Sequence, residues 1–454
     1  MSFKNRFLSG GLAILLTFGS ICISADAAGV VEVPASEVNS VYNQKVESNS
    51  VEDWPDGPQI YSESGIVMDM DSGAILYAKN IDDKHYPASI TKVATALIAL
   101  QNYGMDEIVK FTSDDISFLE YGDAHIGIKP GEELVMEDAM YGMMLASANE
   151  VSHGIGAHME GGYDKFIEVM NETTKALGCE NSNWVNTYGL HDKQHYTTVR
   201  DMAIIGSAAF KFEKFREIIN TYQHVIPKTN ITKQKRYVHQ NHKMIREWDN
   251  RYYEYCVGGK TGYTDQALTT LVTFATKGEM NLIAVVMRTH GGGNNAYKDT
   301  RAMLQYGFKK FQRQTVTQDM IGEANIANME QNAVLTLPKD VVFEQLTKEV
   351  TFPSEMGDRA GAVTYFYNGQ EVGTIEMTIT EEYYNDIHGI IDEIEEVKRE
   401  KKQTLPIYVV VLLVVIGGIL LAVAALFGFV YYKRKKLEKR RRQRRLEYRR
   451  QSDK

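Results

Sequence analysis

The sequence predicts an α/β domain whose sheet is assembled from both ends of a long stretch, with a helical insert between them. Three observations carry that expectation. Gly65-Ile-Val-Met-Asp-Met70 and Ala74-Ile-Leu-Tyr77 flank Asp71-Ser-Gly73, a β-hairpin pattern. Helical spacing of apolar residues fills the middle. Runs rich in β-branched residues return at Tyr255–Val257, Ala267–Phe274 and Asn281–Met287. Strands, then helices, then strands fit one sheet closed by distant segments.

The elements follow in order. Lys4 and Arg6 precede an apolar core from Leu12 to Ile23, and Ala25-Asp-Ala27 offers small residues for cleavage, so residues 1–27 read as a secretory signal peptide. Residues 28–56 are polar without a clear period and read as a flexible lead-in. An apolar run (Val93, Ala94, Leu97, Ile98) predicts a helix from Ser89 to about Asn102. Glu132 to Ala148, Tyr163 to Leu177 and Thr198 to Phe210 predict further helices, with Met140, Met143 and Met144 as core. Thr300 to Phe311 closes the section as a helix.

From residue 317 the texture changes. Ala333–Leu337, Val350–Phe352 and Ala362–Tyr367 read as short strands, and Asn368-Gly369 turns into Val372–Ile379. Residues 317–380 therefore predict a small all-β domain. Ile387, Ile390, Ile391, Ile394 and Val397 place an amphipathic juxtamembrane helix over 381–404. Residues 407–432 are almost wholly apolar and would span about 39 Å as a helix, enough for one transmembrane helix. Lys433-Arg-Lys-Lys436 opens a basic tail over 433–454, which sets that tail in the cytoplasm and the body on the extracellular face of the cell membrane.

Charge and cysteines narrow the function. The formal net charge is −9, and the tail alone carries +10, so the remainder carries −19. An acidic body argues against nucleic acid as a partner. With the signal peptide removed, Cys179 and Cys256 remain, too few for a disulfide framework, and read as buried thiols. Paired histidines (His191 and His195, His239 and His242) lack the H-E-x-x-H metalloprotease frame, so no metal and no cofactor is expected.

The chemistry rests on Tyr86-Pro-Ala-Ser-Ile-Thr-Lys92. Residues i and i+3 share a helix face, which sets the Lys92 amine over the Ser89 hydroxyl. A serine is a poor nucleophile until a base takes its proton, and a lysine serves only if burial or nearby positive charge lowers its pKa. S-x-x-K alone arises about once by chance in a chain this long. Two further motifs follow in order: Ser147-Ala-Asn149 at the end of an apolar helix, and Lys260-Thr-Gly262 after a short strand. In that reading Ser147 relays a proton, Asn149 holds the substrate amide, and Lys260 and Thr261 bind a terminal carboxylate. Gly262 lets the strand backbone approach the substrate.

S-x-x-K, S-x-N and K-T-G in this order are the signature of penicillin-binding proteins and class A β-lactamases. The chain resembles the serine-type D-Ala-D-Ala carboxypeptidases, the low-molecular-weight penicillin-binding proteins, over about residues 57–312. The resemblance includes Asp71-Ser-Gly73, Pro87–Lys92, Gly127 through Gly131-Glu132, Leu145–Asn149, Gly189-Leu190, Asp201-Met-Ala203, Lys260–Thr264 and Tyr306-Gly-Phe308. It implies the penicillin-recognising fold, an antiparallel sheet against a helical cluster with the site between them. It also implies an oxyanion hole from the backbone N–H groups of Ser89 and Tyr263, peptidoglycan stem peptides as substrate and β-lactams as inhibitors. Residues 317–380 resemble the β-rich domain that follows the catalytic one in this family.

The chain departs from its relatives at two places. Thr187 stands where many carry proline, and Ala296 where an arginine often precedes the aromatic at Tyr297, with Arg288 as a candidate substitute. No E-x-x-L-N pattern lies between Ser147 and Lys260, which argues against a β-lactamase. The expected activity is removal of the terminal D-alanine from stem peptides through a Ser89 acyl-enzyme. The alternatives are a DD-endopeptidase or a catalytically idle wall- or β-lactam-binding receptor with a signalling tail.

Overall fold

The computed structural model describes residues 34–322, 325–329, 333–351, 359–386, 431 and 433–436. The expected signal peptide, the juxtamembrane helix from residue 387 on, the transmembrane span but for Tyr431, and the tail beyond residue 436 lie outside the described residues. Among those residues, no helix is long and apolar enough to cross a membrane.

In chain order the elements run α1 (Ala35–Tyr42), β1 (Ser62–Asp69), β2 (Ile75–Lys79), α2 (Thr91–Asn102), β3 (Ile108–Lys110), α3 (Asp114–Ser117), β4 (Glu133–Val135), α4 (Met136–Leu145), α5 (Asn149–Ala157), α6 (Gly162–Ala176), α7 (Val199–Phe210) and α8 (Glu213–Asn220). They continue as β5 (Gln223–Ile226), β6 (Arg236–His239), β7 (Cys256–Thr264), β8 (Leu268–Lys277), β9 (Met280–Thr289), α9 (Gly293–Lys310), β10 (Phe311–Thr315), α10 (Gln318–Ile321), β11 (Ile326–Met329), β12 (Val334–Pro338), β13 (Thr347–Thr351), β14 (Ala360–Tyr367) and β15 (Gln370–Ile379).

The central sheet has strand order β2-β1-β9-β8-β7, and every pair in it is antiparallel. It is built from both ends of its stretch, because β1 pairs with β9 across more than two hundred residues (Ile66 opposite Val285). Alternate residues of β9 face opposite ways. Ile283 meets Gly206 of α7, while Leu282 meets Gly307 of α9. Helices therefore cover both faces. The larger core gathers Val93, Leu97, Met140, Met143, Met144, Met202, Phe274 and Ile283, all fully buried.

The lead-in expected over 28–56 is corrected from residue 34 on. It forms α1 and buries Val41, Val46 and Trp54. The Lys79 ammonium donates to the Val41 carbonyl at 2.8 Å and to those of Ile60 and Ser62. Three anchors on the sheet are too widely spaced to make a period, so a polar composition hid them.

The helix expected over Glu132–Ala148 begins only at Met136, because Glu133–Val135 pairs as β4 with β3. The helix expected from Thr300 starts earlier, at Gly293. Lys260-Thr-Gly262, expected after a strand, lies within β7, with Lys260 opposite Val272. Three glycines in that strand (Gly258, Gly259, Gly262) lower its β propensity and masked it.

Contacts divide the chain into two compact units. Among the described residues, the first holds 34–322, 328–329, 333–351 and 361–377. The boundary expected between 312 and 317 runs through β10, which pairs with β12 (Gln312 opposite Leu337). The small β sheet holds β15, β14 and β13 side by side. Asn368 (φ 48°) and Gly369 (φ 80°) make its tight turn. In the second unit, which among the described residues holds 325–327, 359–360, 378–386, 431 and 433–436, Thr380 N donates to Asn325 O and Ile379 N to Arg359 O.

Candidate active site

The site begins at a strained turn. Ala88–Ile90 forms a 3-10 turn that runs directly into α2. Ala88 adopts φ 50°, a conformation that costs a non-glycine residue about 1–3 kcal/mol. Ser89 lies in this turn and Lys92 in the first turn of α2. Lys92 Nζ stands 3.1 Å from Ser89 Oγ.

Lys92 is fully buried. Its Nζ lies 2.7 Å from Asn149 Oδ1 and 2.7 Å from the Tyr188 carbonyl oxygen. Both can only accept, so they take two N–H bonds. A neutral amine then keeps one lone pair, and the Ser89 hydroxyl is what faces it. Burial drives the Lys92 pKa well below the ordinary lysine value, and the charge of Lys260 drives it further down. Glu150 and Asp123 pull the other way.

The second motif is a break between two helices. Ser147 sits between α4 and α5 at φ 61°. Lys260 Nζ donates to Ser147 Oγ at 3.0 Å and to the Thr261 carbonyl at 2.9 Å. Burial lowers the Lys260 pKa to about 7. The three segments thus converge through side chains: Ser89 to Lys92, Lys92 to Asn149, and Lys260 to Ser147.

Close backbone approach explains two glycines. A Cβ on Gly262 would stand 2.9 Å from Ser89 N and 2.4 Å from Thr270 Oγ1. β7 therefore runs hard against the serine turn. A Cβ on Gly189, at φ +90°, would stand 1.8 Å from the Ala88 carbonyl oxygen. Gly189→Ala is expected to cost more than about 3 kcal/mol of stability, through backbone strain and overlap together. Denaturant unfolding of the variant checks this, and unchanged stability would mean that the turn yields easily.

The comparisons with known proteins give the family. The model of the S11 peptidase family, D-alanyl-D-alanine carboxypeptidase, matches residues 50–291. The chain belongs to that family. D-alanyl-D-alanine carboxypeptidase DacF of Bacillus subtilis (strain 168) is 28% identical over 336 residues, covering 70% of this chain and 81% of its own. The D-alanyl-D-alanine carboxypeptidase DacA of Haemophilus influenzae is 28% identical over 362 residues, covering 73% and 88%. Among solved structures, penicillin binding protein 5 of Haemophilus influenzae superposes with TM-score 0.57 at 24% identity, covering 72% of this chain and 98% of that one. That likeness places the fold: a mixed α/β penicillin-binding DD-peptidase fold.

The departures from the D-alanyl-D-alanine carboxypeptidase pattern have structural readings. Thr187 N donates to Tyr163 Oη at 3.1 Å, a bond that proline lacks the N–H to make. Ala296 is fully buried on α9. Arg288 is engaged elsewhere: its Nε donates to Glu63 Oε1 at 2.8 Å and its Nη1 to the Gln266 carbonyl at 2.8 Å. Cys179 and Cys256 are free thiols, and burial pushes both pKa values up to about 12. His195 and His242 are buried in hydrogen bonds, to Thr91 and to Thr273.

Sequence reasoning missed two residues of this site. The Tyr188 contribution is a backbone carbonyl, which no side-chain motif announces. Glu150 follows Asn149 directly and is fully buried; its Oε1 accepts from Ile126 N at 2.7 Å and its Oε2 has no partner among the described residues. A carboxylate directly beside the motif, in the first turn of α5, was the available signal.

Proposed function

We propose that this chain is a serine-type D-alanyl-D-alanine carboxypeptidase that trims the terminal D-alanine from peptidoglycan stem peptides. Ser89 Oγ attacks the carbonyl carbon of the penultimate D-alanine while Lys92 takes the hydroxyl proton. The oxyanion lies against the backbone N–H groups of Ser89 and Tyr263. As the C–N bond breaks, the proton that Lys92 took moves to the leaving amine through the Ser147 hydroxyl, which receives that proton as it gives up its own, so Lys92 is neutral again. An ester on Ser89 remains; water attacks its carbonyl while Lys92 takes the water proton and returns it to Ser89 Oγ as the ester bond breaks, which frees the shortened peptide.

Asn149 Oδ1 is committed to Lys92, so the NH₂ end of that amide serves the substrate carbonyl. Lys260 and Thr261 hold the terminal carboxylate by charge and hydroxyl. Penicillin acylates the same serine, and without a glutamate to position water it leaves slowly, so it inhibits. The body stands on the extracellular face of the membrane, held by the 407–432 span with the tail inside.

The observation that carries this reading is the 3.1 Å approach of a buried, proton-poor lysine to a serine. The test incubates the full chain, in detergent, with a diacyl-D-Ala-D-Ala peptide and measures free D-alanine. Release that stops when penicillin labels Ser89 is the expected result. Labelling without release would instead make the chain a β-lactam-binding receptor.

A further inference from the structure

The Ser89 turn is held by hydroxyls on consecutive carbonyls. Thr270 Oγ1, on β8, donates to the Pro87 carbonyl at 2.8 Å. Thr91 Oγ1 donates to the Ala88 carbonyl at 2.9 Å. Ala88 is the residue at φ 50°, and its carbonyl carbon is bonded to the nitrogen of Ser89. Rotation of that peptide plane would swing the Ser89 N–H away from where a tetrahedral intermediate sets its oxygen.

A fixed tautomer directs the second hydroxyl. Val185 N donates to His195 Nδ1 at 3.1 Å, so Nδ1 carries no proton. His195 Nε2 lies 2.8 Å from Thr91 Oγ1. In a neutral ring Nε2 must then be the N–H, and it donates to Thr91 Oγ1. The threonine hydroxyl is left with its proton for Ala88. Protonation of Nδ1 would turn it toward the Val185 N–H and break the chain. Burial keeps this from happening by lowering the His195 pKa to about 3, with Asp192 opposing.

We infer that His195 and Thr91 are positioning residues for the oxyanion hole: a relay from Val185 N–H through the imidazole and the threonine hydroxyl fixes the Ala88–Ser89 peptide plane. The inference rests on Ser89 being the acylated serine. It assigns a catalytic consequence to a histidine that touches no reacting atom. Loss of one oxyanion donor typically costs about 10²–10³ in rate, so misaligning the Ser89 N–H costs at least about tenfold.

The test measures the acylation rate of the full chain by a fluorescent penicillin, per mole of protein that finally labels, alongside the thermal midpoint. Thr91→Val removes the hydroxyl and keeps the shape. It is expected to slow acylation at least tenfold while still labelling to completion. Thr91→Ser should restore the rate, and His195→Gln, which retains one acceptor and one donor, should stay faster than His195→Phe. Thr91→Val acylating at the unmodified rate overturns the inference. So does a lower midpoint in Thr91→Val and His195→Phe with unchanged rate per labelled molecule, since that is a purely structural role. Failure of the unmodified chain to label at all would strike the Ser89 reading instead, and is told apart by that control.

Discussion

Lys92→Gln is expected to lose at least about 10³-fold in acylation rate while remaining folded. The glutamine amide can still donate toward Asn149 Oδ1 and the Tyr188 carbonyl, the two acceptors that now hold Nζ. What it lacks is a basic lone pair. Among the described residues, no other titratable side chain is within hydrogen-bond distance of Ser89 Oγ. Water cannot easily replace the amine, because the position is fully buried. Stopped-flow labelling by a fluorescent penicillin gives the rate, and circular dichroism gives the fold. A variant that acylates within tenfold of the unmodified chain would move the base elsewhere, and Lys260 through Ser147 would be the remaining route.

The same residue shows how far a sequence reaches. Ser89 and Lys92 are three apart, and helix geometry alone forecasts their contact. The sheet closing from both ends was legible too, because β1, β8 and β9 are long and rich in apolar residues. β7 was half-hidden by its glycines, although those glycines are what let it lie against the serine turn. The feature that makes the site work is the one that weakens its signal. Long-range partners left no local trace at all. Nothing in the sequence ties Val185 and His195 to the peptide plane before Ser89, or Thr270 to Pro87, since these bonds cross between segments that only the fold brings together. The α1 segment fell outside any periodic reading because its burial comes from single residues and from the Lys79 ammonium reaching the Val41 carbonyl.

Lys260→Met should lower kcat/KM by about 10²–10³, the usual consequence of removing one partner from a buried charge pair. The pH dependence gives the sharper test. Lys92 must be neutral to accept the serine proton, so activity falls on the acid side as that amine gains a proton. Lys260 must be charged to hold a carboxylate, and its pKa is lowered to about 7, so kcat/KM falls again as pH rises past that value. In the substrate complex the bound carboxylate favours the ammonium and raises its pKa. The alkaline limb of kcat therefore lies at higher pH than that of kcat/KM. Lys260→Arg separates charge from titration. A guanidinium stays protonated throughout, so this variant, however slowed by its wider fork, is expected to lose the alkaline limb near pH 7 and keep the acid one. If the alkaline limb survives the arginine, another group titrates there, and the carboxylate is not held by the Lys260 charge.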